Sequence, residues 1–409
     1  MKPVGDKTPT LLRRMVIFTP FLLYPSIDFI FRITNGIIAP ELSIEFALNA
    51  AEIGFVSSIF FIAFGLVQLP LGVALDRFGP RNTSVCILTV AVIGALIFIY
   101  AEGLEQLIVG RMLLGVGMAG SLIAGIKTAS LWLSGRLSLA TFMLIGSTGI
   151  GGMIGTVPFS ELLTEFPWRQ PFLGLTSIIV LLCVGILIFV PTNKFEPTIP
   201  ISHQFLALSH IFQSNKLWQY APIAMTCIGV GSAYQTLWAP LWLRDVAGFT
   251  VNQVAWVMFG MLGNYALGNL AFGWIAQTLQ RYKKSVMPTV ISATILFIFC
   301  QILIVIQITS LDGLLWIIAS FLLAGPYAIY PIITANFPET FTARASSVLN
   351  FLVFTSIFSL QWLIGLIINL FPEIETGIFS PLSYSWAMGF CIAIQILGLG
   401  WYVIFSRFE

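Results

Sequence analysis

The chain has 409 residues, of which 58% are hydrophobic and only 9% are charged, and its mean hydropathy is +0.96. A water-soluble globular domain carries about 25% charged residues, so the composition excludes that class of protein. The formal net charge of +2 gives no reason to expect a nucleic-acid partner. Unbroken apolar runs of about 20 residues, such as 172–190 and 386–405, indicate transmembrane helices rather than the alternating strands of a membrane barrel.

Clusters of proline, glycine and polar residues divide the chain into about twelve predicted spans. In chain order they cover residues 15–40, 54–74, 83–103, 106–131, 138–163, 171–190, 218–243, 253–278, 286–308, 313–337, 345–371 and 383–405. Most connections are short, and the exception falls between the sixth and seventh spans. We therefore predict an N-terminal six-helix bundle at 1–190, a cytoplasmic linker at 191–217 and a C-terminal six-helix bundle at 218–409.

The distribution of lysine and arginine predicts the orientation of the spans. If the N-terminus is cytoplasmic, only Arg169 and Arg244 of the 19 Lys and Arg residues fall in outer loops. Arg32 and Arg111 lie within spans, and Lys127, near the cytoplasmic end of the fourth span, is counted with the inner residues. Cytoplasmic loops of membrane proteins carry the excess of these residues. We therefore expect an all-α membrane protein of twelve transmembrane helices with both termini cytoplasmic, located in the inner membrane of a bacterium.

The first short cytoplasmic loop contains the pattern G-x3-D-R-x-G-x-R, formed by Gly72, Asp76, Arg77, Gly79 and Arg81. A glycine lets helices approach closely, an aspartate can accept from a helix N-terminus, and arginines can pair with acids across the bundle. We predict that this latch motif holds one conformation. At this place in a chain of two six-helix halves, the motif resembles the major facilitator superfamily closely, and the resemblance covers essentially the whole chain.

The resemblance implies a secondary active transporter with the major facilitator fold that functions as a monomer. Residues 268–284 resemble a decayed copy of the latch motif, with Gln277 where the acid would be. The first span is similar to that of the organic anion:cation symporters, because Arg32 and Pro40 keep the spacing of their motif. Two positions depart from that branch: Phe31 replaces the acid before the arginine, and Met118 replaces a helix-four glutamate.

Four polar residues of the first span share one helical face: Tyr24, Asp28, Arg32 and Asn35, spaced four, four and three residues apart. An ionisable side chain within hydrocarbon costs about 2.5–3.5 kcal/mol or more, so each one needs a partner or a wet cavity. We predict that Arg32 binds an anionic group through its planar fork and that Asp28 carries the coupled proton. The alternative is that the two side chains only neutralise each other.

Further candidates lie on other spans. Arg111, in the fourth span, is expected to take part in coupling or to be structural, and Lys127 is expected to be an inner-cavity cation or a snorkelling lysine. If helices one, four, seven and ten line the cavity, as the resemblance implies, their polar and aromatic residues complete the substrate-contacting set. These residues are Tyr234, Gln235, Trp238, Tyr327 and Tyr330, with Gln361 and Asn264 as second choices.

We predict import of a small organic anion by alternating access, coupled to protons. An exporter of drugs or other amphipathic compounds is the alternative, and a ligand sensor that does not transport is a third candidate. Enzymatic activity is not expected, since both histidines lie in the linker and the spans contain no nucleophile–base or metal-ligand cluster. No cofactor or metal is predicted, so the expected partners are the substrate, protons and the lipid bilayer.

Overall fold

The computed structural model describes residues 11–133, 136–192, 208–307, 311–338, 342–375 and 377–406. Within these ranges every regular element is helical, and extended pairing is limited to an isolated bridge between Glu375 and Ile378. The prediction of an all-helical protein is therefore confirmed. Most of the predicted linker, residues 193–207, lies outside the described residues.

The first part of the chain, in the residues that the structure describes, consists of helices joined by short turns. They are Leu11–Phe46 (α1), Ala50–Ile99 (α2), Leu104–Met118 (α3), Ser121–Trp132 (α4), Leu137–Ile154 (α5), Val157–Glu165 (α6) and Arg169–Phe189 (α7). Within α2, the backbone of Gly79 is not helical (φ 77°, ψ 165°), so the helix is broken inside the latch motif. Such a conformation is open essentially only to glycine, which explains the residue at this turn.

Among the described residues, the longer elements of the second part are α-helices, and two short segments of other helical type interrupt them. The α-helices are Asn215–Ala233 (α8), Ala239–Asp245 (α9), Val251–Arg281 (α10), Met287–Val305 (α11), Asp312–Leu323 (α12), Ile329–Ala335 (α13), Thr342–Ile368 (α14) and Pro381–Phe405 (α15). A π-helical turn, Tyr234–Trp238, connects α8 to α9, and a 3₁₀ turn, Gly325–Ala328, lies between α12 and α13.

Two prolines account for these interruptions. Pro240 has no N–H to donate to the carbonyl of Thr236, four residues earlier, and Pro331 likewise cannot donate to Tyr327. The carbonyls of Thr236 and Tyr327, which therefore lack the usual helical donor, both lie within the non-α turns. Irregular turns in a membrane helix are tolerated where neighbouring groups satisfy the backbone, and π-turns are frequent at functional sites.

In the described ranges, nine helical segments are long and apolar enough to cross a membrane. Large apolar side chains also cover the outside of these helices. Leu181 and Leu397, for example, are 69% and 70% exposed. Exposure of this extent on many neighbouring side chains would be an aggregation hazard in water and is the normal state of a surface that contacts lipid.

Internal contacts divide the chain into two units. Unit 1 comprises Met1–Arg32 and Ala63–Ile201, and unit 2 comprises Ile33–Ile62 and Ser202–Glu409. The core of unit 1 includes the buried residues Phe18, Ala129, Leu133, Ala140 and Leu144, and that of unit 2 includes Phe297, Cys300, Ala319, Leu322 and Leu323. These units are defined by internal contacts and not by membrane crossings. The boundaries predicted for the two six-helix bundles therefore stay a prediction.

Candidate functional site

Unit 1 contains a buried ion pair on α1. The Nε and Nη2 atoms of Arg32 donate to the two carboxylate oxygens of Asp28 at 2.8 and 2.7 Å. The residues are one helical turn apart, so both side chains lie on the same face. The side chain of Asp28 is 4% exposed and that of Arg32 is 12% exposed, so the arginine is the more accessible member of the pair.

The junction of α3 and α4 provides further contacts to this face. The Ser121 hydroxyl donates to Oδ2 of Asp28 at 2.8 Å, which gives the carboxylate a third donor. The Tyr24 hydroxyl donates to the main-chain oxygen of Gly117. Ser121 was absent from the predicted site, because a serine in an apolar helix can satisfy its hydroxyl within the helix and carries no distinctive signal.

Arg111 also lies against α1. Its Nη1 atom donates to the main-chain oxygen of Phe31 at 3.2 Å, and the residue is 1% exposed. Its Cζ atom lies 5.8 Å from the ring centroid of Phe98, within the range of a cation–π contact. The structure thus gathers four predicted residues of unit 1 around one stretch of α1: Tyr24, Asp28, Arg32 and Arg111.

The latch motif forms a separate cluster in unit 1. Oδ1 of Asp76 pairs with Nζ of Lys127 at 2.5 Å, so Lys127 is engaged by the latch acid in this structure. Arg81 donates to the Thr192 hydroxyl and, at 2.7 Å, to the main-chain oxygen of Leu187. A Cβ at Gly72 would meet no atom within 4 Å, so the close helix approach suggested for this glycine does not occur here.

Several predicted residues of unit 2 form a buried polar cluster. Nδ2 of Asn35 donates to the Ser57 hydroxyl at 2.5 Å, and Nε1 of Trp238 donates to the main-chain oxygen of Gln361 at 3.0 Å. Oε1 of Gln361 accepts from the Thr236 hydroxyl at 3.3 Å. Oδ1 of Asn35 and Nε2 of Gln361 have no hydrogen-bond partner among the described residues, although both side chains are buried.

The π-helical turn positions the other predicted residues of the seventh span. The Tyr234 hydroxyl donates to Oε1 of Gln301 at 3.3 Å, and Gln301 exchanges two hydrogen bonds of 3.0 Å with Gln395. Nε2 of Gln235 lies 3.4 Å from the Ser320 hydroxyl. The prediction missed Gln301 and Gln395, although two amides inside strongly apolar helices are a usable signal of such a pair.

Predicted residues of the tenth span lie at its 3₁₀ turn. The rings of Tyr327 and Tyr330 stack with centroids 6.1 Å apart, and the Tyr330 hydroxyl donates to Oδ1 of Asn350 at 2.7 Å. The Tyr265 ring contacts Tyr327 edge-on at 5.8 Å. Asn264 donates to the main-chain oxygen of Gly260 in its own helix at 3.0 Å.

The chain is a helical membrane protein with charges and amides buried inside its apolar helices, and in membrane proteins such groups are typical of substrate and ion pathways. A family model described as the Major Facilitator Superfamily matches residues 21–365. The chain therefore belongs to this superfamily, as the sequence predicted. It is an integral membrane protein of this transporter superfamily.

Similar proteins include transporters of small anions. The chain is 23% identical over 404 residues to the 4-hydroxybenzoate transporter PcaK of Pseudomonas putida, which covers 90% of this chain and 82% of PcaK. It is 30% identical over 154 residues to the uncharacterized transporter YybO of Bacillus subtilis, covering 37% of this chain and 35% of YybO. It is 21% identical over 282 residues to the probable sulfoacetate transporter SauU of Cupriavidus necator, covering 63% of this chain and 65% of SauU. The chain thus spans less than two thirds of the length of YybO and of SauU.

Solved structures support the fold. A bacterial homolog to the human lysosomal transporter Spinster, in an inward-facing and unoccupied conformation, superposes with a TM-score of 0.82. The match covers 98% of both chains at 15% sequence identity. At this identity the likeness establishes the fold and leaves the substrate open.

Proposed function

We propose that this protein imports a small organic anion together with protons, by alternating access. The observation that carries the proposal is the two-point pairing of Arg32 with Asp28. Both donors of the guanidinium fork bind a carboxylate in the geometry that an organic acid would use. The anions named for PcaK and SauU, 4-hydroxybenzoate and sulfoacetate, support this substrate class.

The pairing suggests how proton and substrate are coupled. A substrate carboxylate can take the fork of Arg32 only if the Asp28 carboxylate releases it. Release of a buried carboxylate is costly while it is charged, and protonation removes that charge. Binding of a proton at Asp28 therefore favours binding of an anion at Arg32. This linkage makes the two cargoes move together, with Ser121 holding Asp28 in place and Arg111 maintaining a positive potential beside it.

In unit 2, Asn35 and Gln361 are the proposed substrate contacts with the most direct support. Each is buried and each presents one amide atom without a partner among the described residues. An unpaired buried polar atom costs about 1–3 kcal/mol, which a ligand could recover. Tyr234, Gln235, Trp238, Tyr327 and Tyr330 lie at the two helix interruptions, and we retain them as substrate contacts of the seventh and tenth spans.

The proposed topology has twelve spans. At about 1.5 Å per residue, the 50-residue helix α2 is about 75 Å long, more than twice the roughly 30 Å hydrocarbon core, and Gly79 breaks it. We infer that it crosses twice. The segments 215–245 and 251–281 are each about 45 Å long and would cross once more. The lysine and arginine distribution then favours cytoplasmic termini, and we propose a monomer in a bacterial inner membrane.

Uptake into proteoliposomes tests the proposal. Labelled 4-hydroxybenzoate and sulfoacetate would be offered with and without an inward proton gradient. We expect accumulation of at least one anion in the wild type and at least a 100-fold lower rate in Arg32→Ala. Asp28→Asn should keep substrate exchange without a gradient but lose gradient-driven accumulation, because the amide mimics a permanently protonated acid.

A neutral pair provides the control for folding. The double variant Asp28→Asn/Arg32→Gln leaves no uncompensated charge, so it should match the melting temperature of the wild type while remaining unable to accumulate the anion. Anion uptake that is indifferent to Arg32 would refute the proposal. Efflux of lipophilic cations that requires Asp28 and tolerates Arg32→Ala would support the exporter instead.

A further inference from the structure

Unit 2 contains an open cavity of about 270 Å³ between α10 and the segment that joins α12 to α13. Small side chains create the space, since Gly273 and Ala276 of α10 line it opposite Ala324 and Ala328. A Cβ at Gly273 would meet no atom within 4 Å. The glycine is therefore not required for helix packing, and its effect is to leave the cavity open.

The lining of the cavity is polar but uncharged. Asn269, Gln277 and Gln280 provide carboxamides from one face of α10, and no lining residue carries a charge. Gln277 and Gln280 are exposed, and across the described part of the chain their side chains have no protein hydrogen-bond partner, so both amides are free to bind a ligand that enters from the open side. Carboxamides offer both donors and acceptors, which suits a neutral polar ligand, whereas an anion would lose water without gaining a cation.

One wall of the cavity is a fixed aromatic ring. Tyr327 lines the cavity and is held by stacking on Tyr330 and by an edge contact from Tyr265. A ring that is already immobilised loses little entropy when a ligand stacks on it. An apolar cavity of about 150 Å³ holds benzene, and drug-sized pockets begin near roughly 300 Å³. The volume therefore fits a single substituted ring.

Unit 1 places an ion pair at the corresponding point of its own motif. The spacing from Gly72 to Asp76 is repeated from Gly273 to Gln277, within the stretch that resembles a decayed latch motif. In unit 1 the acid, Asp76, forms an ion pair with Lys127. In unit 2 the acid is replaced by an amide, and the cavity has no cation to pair with. Loss of the charges leaves a neutral space suited to a ligand.

We infer that this cavity is a binding site for an uncharged planar ring that carries an amide, hydroxyl or ring-nitrogen group. The ring stacks on Tyr327, and its polar group bonds to Gln277 and Gln280. The site shares Tyr327 with the proposed substrate contacts but does not use the Asp28–Arg32 pair, and its ligand is uncharged, so it goes beyond the proposed anion transport. A neutral aromatic amide is the simplest ligand of this class.

Equilibrium binding of labelled benzamide to the full-length protein in nanodiscs tests the inference. We expect saturable binding in the wild type, at least tenfold weaker binding in Gly273→Leu, and several-fold weaker binding in Gln277→Leu. Gly263→Leu is the matched control, because Gly263 lies on the same helix, also has open space around its Cβ, and does not line the cavity. Binding should be unchanged in Gly263→Leu and in the neutral double variant Asp28→Asn/Arg32→Gln, which is expected to keep the melting temperature of the wild type.

Four outcomes would overturn the inference: no saturable benzamide binding, equal binding in Gly273→Leu and Gly263→Leu, loss of binding in Asp28→Asn/Arg32→Gln, or benzoate binding as tightly as benzamide. If Gly273→Leu does not fold, unchanged binding in Gln277→Leu would be the contrary result. Because no anion or proton gradient is used, failure of the proposed anion import would leave these binding results unaffected.

Discussion

At the scale of single residues, the central feature is a carboxylate with three donors. Asp28 accepts two hydrogen bonds from Arg32 and one from Ser121, while it is almost fully buried. Removing one partner of such a pair leaves an uncompensated charge and costs about 3–5 kcal/mol. The pair is therefore stable only as a unit, unless a proton or another anion takes part. Arg32 can therefore exchange Asp28 for a substrate anion only when a proton neutralises the Asp28 carboxylate.

Ser121→Ala should weaken this arrangement without removing a charge. A hydrogen bond to a charged group contributes about 1.5–3 kcal/mol, so we expect a lower melting temperature. Ser130→Ala is the control, because that hydroxyl is exposed and donates only to the carbonyl of Lys127, three residues earlier in its own helix. In an Asp28→Asn background the effect of Ser121→Ala should shrink. An undiminished effect there would show that Ser121 acts elsewhere.

At the scale of elements, the polar stripe of α1 could be predicted because a charge in an apolar helix is rare and must be explained. The spacing of Asp28 and Arg32 alone fixes their common face. Ser121 could not be predicted, since its role depends on where the α3–α4 junction meets α1. The non-α turns were not predicted either, although each is followed by a proline that marks it. Pro240 and Pro331 have no N–H to donate to the carbonyl four residues earlier, and that carbonyl lies within the turn.

The two glycines of the latch motif should differ sharply on substitution. Gly79 has a positive φ of 77°, so Gly79→Ala forces strain of about 1–3 kcal/mol into the break of α2 and should lower both stability and transport rate. Gly72 lies within the helix with open space around its Cβ, so Gly72→Ala should be neutral or raise stability by about 0.5–1 kcal/mol. Thermal unfolding in detergent and initial uptake rates measure both effects. Equal losses in the two variants would contradict this account of the turn.

At the scale of the whole molecule, length and hydropathy identify fewer spans than the twelve proposed. The nine segments recognised within the described ranges include α2 as a single span and omit the helices at 215–245 and 251–281. The omitted helices carry the amides and aromatic residues proposed to contact ligands, which lowers their mean hydropathy. The polar and aromatic residues of these two helices thus obscure their membrane signal.

Labelling of single cysteines would decide the topology. In a Cys86→Ser background, a membrane-impermeant maleimide should label Glu45→Cys, Glu102→Cys and Asn252→Cys in intact cells, and Lys283→Cys only after permeabilisation. If α2 crosses only once, positions 45 and 102 must lie on opposite sides. If 215–245 and 251–281 do not cross, position 252 must behave like position 283.

The Cys86→Ser protein without an added cysteine is the control, because it measures the labelling of the remaining native cysteines. Either deviation would reject twelve spans, whereas the expected pattern requires α2 to cross twice and the helices of the seventh and eighth spans to cross once each.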